Sequence, residues 1–495
     1  MASWSTDDLV GPDGEDWRVP VSELESRIQE LSNRLNDAKI PGVLIQNPVD
    51  LYYYAGGRQN GALFVPASNS QASIEQGGKG ATFFVRRSVS RAKFEAGGDD
   101  SPILVEKFPS LGIFAETLTE MGLEDAPGLQ FGEIPADFCK KFQSVLATLG
   151  DTRDCTKIIH EQREVKSAWE IDMMREGAKV QQQMFDAVEQ SISIGATELD
   201  IVAAAEAVSR QSGFGGNVQM RRFPLQCDRA VIVSGRAGGI PSFFDSAIGG
   251  TGPHPLAGMG SGFNKLQPNQ PILVDLVHVH RGYVVDATRM FSIGELPEPW
   301  ESRLSDMVEV SNKVVASLGR GDNCSKAWQI GSELVENMGH SEHLMGMRPD
   351  QSQFLGHSVG LQLDESPVVA KGFDRPLPIN GLMAIEPKLD GIRCFAIVEG
   401  DEALLYARSG KLISNFDGTI GADLAVLPDG CYDGEIMGED FTSLMRQAYR
   451  KENVVTTDTY LSLFDYIPMK EWKSRETVMT CSDRYTTLCA NLSGA

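Results

Sequence analysis

Asp275 and Asp286 stand inside an otherwise apolar stretch, Pro271-Ile-Leu-Val-Asp275-Leu-Val-His-Val-His280-Arg281-Gly282-Tyr-Val-Val-Asp286-Ala-Thr288-Arg289. Burying two unpaired carboxylates among Val, Leu and Ile is costly unless a cation meets them. Read as a β-hairpin with Arg281-Gly282 as a two-residue turn, the stretch pairs residue 280 with 283, 277 with 286 and 275 with 288. Side chains alternate along a strand, so Asp275 and Asp286 share a face as diagonal neighbours. Such positions lie roughly 7–8 Å apart, a span that a divalent ion or an ion pair can bridge. The plainer alternative is that both acids lie on a wet face of the hairpin. The nearby His278 and His280 are the opposite of a ligand pair for this site, because the same alternation turns them away from Asp275.

Two later segments offer further donors. Gly356-His357-Ser-Val-Gly360-Leu sets a histidine between glycines, and Gly381-Leu-Met-Ala-Ile-Glu386-Pro387 reads as a strand bearing one carboxylate. Two aspartates, an imidazole and a glutamate suit a hard or borderline cation such as Mn, Fe, Co or Zn. Each residue alone has an ordinary explanation, and a lone histidine is more often structural. The stretch that contains Glu386 also reads as Lys388-x-Asp390-Gly391-x-Arg393, a turn in which a lysine amine could act as a nucleophile.

These residues need elements to hold them. Leu24, Ile28, Leu31 and Leu35 recur at helical spacing and predict an amphipathic helix over 21–38. Short apolar strands follow at Gly42–Gln46, Ala62–Pro66 and Ala81–Val85. This alternation, to about residue 155, implies a small α/β domain. A long helix is predicted from Glu164 to Ile192, and another after Thr197 as N-cap. Strands are expected at 229–234, 272–279 and 283–293, with helices near 300–318 and 324–339. The Gly-rich stretch 249–263 is a loop; it lacks the Gly-Lys-Ser/Thr ending and following helix of a phosphate cradle. After Lys388 the texture becomes β-rich, with strands Cys394–Val398, Ala403–Ala407, Cys431–Met437 and Leu461–Tyr466, turns between them and one helix near 440–451. The polar tail from Thr477 suggests no element.

A chain of 495 residues implies two to four domains. Its net charge of −23 argues against a general nucleic-acid binder. Eight scattered cysteines without a C-x-x-C pair point to neither a disulfide framework nor a thiolate zinc site. With no basic–apolar leader and no apolar run of spanning length, the expectation is a cytoplasmic enzyme without a membrane partner.

The order D-x10-D-x-T-R, then G-H-x-x-G-L, then I-E-P resembles the creatinase/prolidase/methionine aminopeptidase (pita-bread) family over about residues 20–388. The resemblance implies two divalent ions (Mn, Co, Fe or Zn) held by Asp275, Asp286, His357 and Glu386. Glu386 would also be the catalytic proton shuttle for an activated water. The substrate would be a small peptide or a related small molecule, and relatives are commonly homodimers. Three departures are visible. Ser242 and Asp364 occupy positions where relatives carry substrate-binding histidines. The last ligand of the family lies in a G-x-R-x-E context, for which Glu399 is the nearest acid; its setting, Val-Glu399-Gly-Asp401, reads better as a hairpin turn.

From Lys388 on, the succession K-x-D-G-x-R, Tyr406-Ala-Arg408-Ser-Gly, Tyr432-Asp-Gly-Glu435-Ile and Leu463-Phe464-Asp-Tyr resembles the adenylation domain of phage-type ATP-dependent DNA ligases. That resemblance implies ATP and Mg, with nicked DNA as partner. Lys388 would be the adenylated nucleophile, Asp390, Arg393, Arg408 and Glu435 nucleotide or metal contacts, and Phe464 an adenine stack. The later basic motifs of a ligase are missing. The expected order is therefore a tail (1–20), a creatinase-like α/β N-terminal domain (21–155), a pita-bread α+β metallohydrolase domain lacking its last strands (156–387), and a partial β-rich nucleotidyltransferase-like segment (388–495). The expected function is a metal-dependent hydrolase of the Xaa-Pro peptidase/creatinase kind. The alternatives are a ligase-type nucleotidyltransferase or an inactive chimera of the two.

Overall fold

The computed structural model describes residues 4–493 apart from 72–79, 222–226, 228, 229, 244, 245, 247, 379, 380, 382–391, 401, 408–410, 439–443, 445, 446, 449, 451–455, 457, 458, 475, 476, 478 and 480. The chain divides into two compact units, Met1–Glu386 and Pro387–Ala495.

The first unit opens with helix α1 (Val21–Asp37), whose Leu24, Ile28, Leu31 and Leu35 are all buried, as their spacing requires. They pack on a four-stranded sheet, β1 (Gly42–Ile45), β2 (Gly61–Pro66), β3 (Ala81–Val85) and β4 (Ile103–Lys107), in sequential order. The first two pairings are antiparallel and the last is parallel. Between β1 and β2 runs α2 (Pro48–Ala55), N-capped by the Asn47 side chain.

The helix predicted from Glu164 to Ile192 forms as one helix that starts a few residues late, and a separate short helix precedes it. The helix α3 (Thr156–Arg163) ends, and α4 (Ala168–Ser191) restarts behind a capping box in which Ser167 and Glu170 satisfy each other's backbone N–H groups. Residues 164–167 form a short link between them. The next helix, α5 (Glu198–Gln211), is capped by Thr197, as expected. Helices α4 and α5 cover one face of an antiparallel sheet, β5 (Ala230–Ser234), β6 (Ile272–His280) and β7 (Tyr283–Phe291). Met184, Phe185, Val188 and Ile201 from the helices meet Ile232, Ile272, Val274 and Leu276 from the strands. Two helices, α6 (Trp300–Gly319) and α7 (Cys324–Asn337), follow, and then a two-stranded ribbon, β8 (Phe354–Ser358) and β9 (Glu365–Ala370).

The second unit is an antiparallel sheet in the order β11 (Glu402–Ala407), β10 (Ile392–Glu399), β12 (Gly430–Met437), β13 (Tyr460–Pro468). It has its own core, with Cys394, Ala396, Val398, Leu405, Phe416 and Tyr432 buried together. The tail after Thr477, read as featureless, contains the helix α8 (Cys481–Ser493). Its Leu488 joins that core. The predicted helix near 440–451 falls largely outside the described residues.

Candidate metal centre

Strands β6 and β7 pair as the hairpin reading requires: Asp275 faces Thr288, Val277 faces Asp286 and His280 faces Tyr283. Arg281 and Gly282 both take positive φ, 49° and 95°, as a two-residue turn of this hand demands. Even-numbered β6 residues face α4 and α5, so Asp275 and Asp286 share the opposite face. There the two carboxyls are hydrogen-bonded to each other, and the Thr288 hydroxyl donates to Asp275 Oδ1 at 2.5 Å.

Two acids at this distance cannot both ionise cheaply. Burial first, and then the Asp286 charge, pushes Asp275 up to about 8. Burial pushes Asp286 up to about 6. At neutral pH the pair holds a proton where a cation would otherwise sit, the electrostatic signature of a site short of positive charge.

His357, on β8, brings its Nε2 to 3.7 Å from Asp286 Oδ2. Its Nδ1 lies 3.2 Å from the Ser358 carbonyl oxygen. A carbonyl can only accept, so Nδ1 carries the proton and Nε2 presents its lone pair to the aspartates, the tautomer a metal ligand needs. Among the described residues no group of three or more His, Cys, Asp or Glu side chains is already closed into a metal-holding cluster. The donors present nevertheless fit a hard or borderline divalent ion: two carboxylates whose repulsion it would relieve, and one correctly tautomerised imidazole.

The other expected site residues separate into three groups. Glu386, Lys388, Asp390 and Arg408 lie outside the described residues. Glu399 ends β10 opposite Glu402, exposed, with its carboxylate paired to Lys473. Asp364 is buried, and its Oδ1 accepts the Arg221 backbone N–H at 2.6 Å. Ser242 is half-buried in the segment after β5. In the second unit Arg393 and Glu435 are cross-strand partners on β10 and β12. Phe464 is the unpaired residue where the β12–β13 register shifts.

His278 and His280 point to the helix side, away from the aspartates, as strand alternation demands. The His278 Nδ1 meets the Ser209 hydroxyl of α5 at 2.9 Å, and burial pushes the ring down to about 4. A histidine held neutral in the fold but titrating near 6.5 when unfolded costs stability as pH falls. Its effect is absent above about pH 6.5 and grows until about pH 4, a span worth about 3 kcal/mol. Urea unfolding of the protein and of His278→Leu across that range should show the protein losing about 3 kcal/mol relative to the variant as the pH is lowered; parallel curves would contradict the assignment.

Several residues that matter here carry no sequence signal of their own. Arg163, Lys166, Gln362 and Glu365 form a buried polar cluster behind the loop that follows His357. Glu198, fully buried, accepts hydrogen bonds from Ser234, Gly262 and Asn264 and so ties α5 to β5 and to the end of the Gly-rich loop.

Comparison with known families places this architecture. Residues 27–165 match the creatinase/prolidase N-terminal domain, and residues 172–411 match metallopeptidase family M24. The chain thus carries a creatinase/prolidase N-terminal domain followed by an M24 pita-bread domain. It is 21% identical over 396 residues to a Xaa-Pro dipeptidase of Pyrococcus horikoshii, covering 78% of this chain and 96% of the relative. It is 24% identical over 271 residues to a methionine aminopeptidase of Clostridium acetobutylicum, covering 54% of this chain and 96% of that protein. Among solved structures, the dipeptidase PepE of Mycobacterium ulcerans superposes with a TM-score of 0.57 at 18% identity, covering 73% of this chain and 87% of that one. The prolidase of Pyrococcus horikoshii gives 0.53 at 18% identity, with 72% and 88% covered. The M24 match runs past Lys388, to residue 411. No helix among the described residues is long and apolar enough to cross a membrane.

Proposed function

We propose that the chain is a divalent-metal-dependent hydrolase of small peptides, with Xaa-Pro dipeptides as the first substrates to test. The observation that carries this reading is the convergence of Asp275, Asp286 and the Nε2 of His357 on one face of the β6–β7 hairpin. Asp275, Asp286, His357 and Glu386 would hold the metal, in the two-ion arrangement of the family, with Mn, Co, Fe or Zn all compatible with such donors. A bound ion supplies Lewis-acid polarisation of the scissile carbonyl and makes a water acidic enough to attack near neutral pH. Asp275 and Asp286 would hold it as carboxylates, and the Thr288 hydroxyl, which donates to Asp275, would keep that carboxylate in place. The Ser358 carbonyl keeps the His357 ring in the productive tautomer. Glu386 takes the proton from the attacking water and passes it to the leaving amine. Ser242 is a substrate-side contact, weaker than the imidazole that relatives place there. The assembly is a homodimer.

The expected result is hydrolysis of Ala-Pro or Leu-Pro by the protein loaded with Mn²⁺ or Co²⁺, abolished by a chelator and restored by the metal. The His357→Ala variant should be inactive under the same conditions. Metal-loaded protein that cleaves neither these nor other dipeptides would reject the reading.

A second reading, a lysine adenylyltransferase in the second unit, is supported by the order of the motifs from Lys388 onward and by the independent core of residues 387–495. It predicts transfer of label from α-labelled ATP with Mg²⁺ to Lys388, lost in Lys388→Ala, and nicked DNA as the partner. Absence of label in the parent protein would reject it and leave the second unit as an appended, catalytically silent piece.

A further inference from the structure

Glu365 is a buried carboxylate that the chemistry above does not use. Its Oε1 accepts from Arg163 Nη2 at 2.5 Å and from the Gln362 backbone N–H at 3.2 Å. Its Oε2 accepts from Lys166 Nζ at 2.8 Å. Arg163 also donates to Gln362 Oε1 at 2.9 Å and to Asp50 Oδ1 at 2.7 Å, and Asp50 in turn accepts from Gln130 at 2.6 Å. Asp50, Arg163, Lys166 and Glu365 are each 5% exposed or less, so two cations and two anions balance out of water.

The cluster lies beneath the turn that joins β8 to β9. Gly360, three residues after His357, is pressed against it: a Cβ there would stand 2.4 Å from Glu365 Oε2. The Gly360 carbonyl accepts the Val284 backbone N–H at 2.7 Å, and Val284 lies two residues before Asp286 on β7. One chain of contacts therefore runs from Glu365 through Gly360 to the strand that carries Asp286, and the same turn leads out of β8, the strand that carries His357. Arg163 and Asp50 belong to the segment matching the creatinase/prolidase N-terminal domain, whereas Glu365 and His357 belong to the M24 segment.

We infer that Glu365, clamped by Arg163 and Lys166, is a positioning residue for the metal centre: the N-terminal domain sets the distance between His357 and Asp286 through this buried pair of ion pairs. This deepens the metal-hydrolase reading and rests on it. A carboxylate between two fixed cations has one low-energy position, and the turn packed on it inherits that precision. Partners that orient ligands from behind typically contribute 10–100-fold to metal affinity.

The test compares the full chain with Glu365→Gln/Lys166→Met, which removes one charge of each sign, and with Gly360→Ala, which keeps all four charged groups but forces the turn and the Glu365 carboxylate apart. Folding is verified by near-ultraviolet circular dichroism. Mn²⁺ affinity is measured by titration calorimetry and Co²⁺ geometry by its visible absorption. The control is Arg91→Gln/Glu95→Gln, which removes another ion pair, 2.7 Å long, within the N-terminal domain and shared with none of the cluster's residues. The clamp predicts that both test variants bind Mn²⁺ about 10–100-fold more weakly with an altered Co²⁺ spectrum, and that the control binds like the parent. A folded test variant with parental affinity and spectrum overturns it; if the double variant does not fold, Gly360→Ala alone decides. A parent that binds neither ion defeats the metal reading and the clamp together, whereas a binding parent with unaffected variants defeats the clamp alone.

Discussion

Asp286→Asn is expected to abolish metal-dependent hydrolysis while making the metal-free protein more stable. The reasoning starts from the carboxyl pair. Burial raises both acids above the ordinary carboxylate range. A group whose folded value is raised costs stability above its unfolded value, and the cost grows as pH rises from about 4 towards the folded value. An asparagine amide in place of Asp286 removes one charge and can donate to Asp275. At pH 7 the metal-free variant should therefore gain roughly 1–3 kcal/mol, a gain that vanishes below about pH 4. The metal response should reverse the order. A ligand present at about 100 times its Kd stabilises its binder by about 2.7 kcal/mol. The parent should show that rise in Tm with Mn²⁺, and Asp286→Asn should show almost none. Loss of a direct ligand should reduce kcat/KM by more than the roughly 10–100-fold that an orienting partner is worth. Melting curves with and without Mn²⁺, joined to dipeptide assays, separate these effects. If the variant kept its metal-induced rise in Tm, Asp286 would not be a ligand.

The site's nucleus is visible in the sequence because a hairpin obeys a strict rule. Two-residue alternation and the Arg281-Gly282 turn leave one register, and that register puts Asp275 and Asp286 on one face. Opposite-facing His278 and His280 follow from the same rule. The approach of His357 to Asp286 does not, because it depends on how the β8–β9 ribbon lies over β7. Resemblance to a family, not spacing, links them. The long helix read from Glu164 to Ile192 misses only its start. Helical spacing places the element, and the local signal, Ser167 with Glu170 as a capping box, marks the true beginning of α4 at Ala168. The terminal helix α8 escapes because Ser, Thr and Cys are mediocre helix formers; packing of Leu488, 1% exposed, supplies what propensity lacks. Glu399 was the nearest acid for a last ligand by distance along the chain alone, and the β10–β11 turn sends it to Lys473. Least visible are Arg163, Lys166 and Glu365. Charged residues are ordinarily outside, and only tertiary structure reveals that these three are each 5% exposed or less.

That burial leads to the largest expected change in stability. Arg163→Met is predicted to destabilise the protein by about 3–5 kcal/mol, because it strands Asp50 and Glu365 without their shared cation. A methionine can fill much of the volume of the arginine stem, so little of this loss comes from a cavity. The pH dependence identifies the cause. Arg163 and Lys166 overcome burial and hold Glu365 down to about 2. A depressed acid contributes its stability above its unfolded value, near 4.5, and loses it as pH falls towards the folded value. The parent should thus lose about 3 kcal/mol from this group between about pH 4.5 and pH 2. Arg163→Met should show a shallower acid limb, because Glu365 then titrates closer to, or above, its unfolded value. Restoring neutrality in Arg163→Met/Glu365→Gln should recover part of the loss, since the amide no longer needs a cation, whereas Arg163→Met/Asp50→Asn should recover the part owed to Asp50. Urea midpoints for the four proteins at pH 7 and pH 4 decide the matter. A single variant within about 1 kcal/mol of the parent would mean that Lys166 alone neutralises the cluster, and that Arg163 is held there for its hydrogen bonds to Gln362 rather than for its charge.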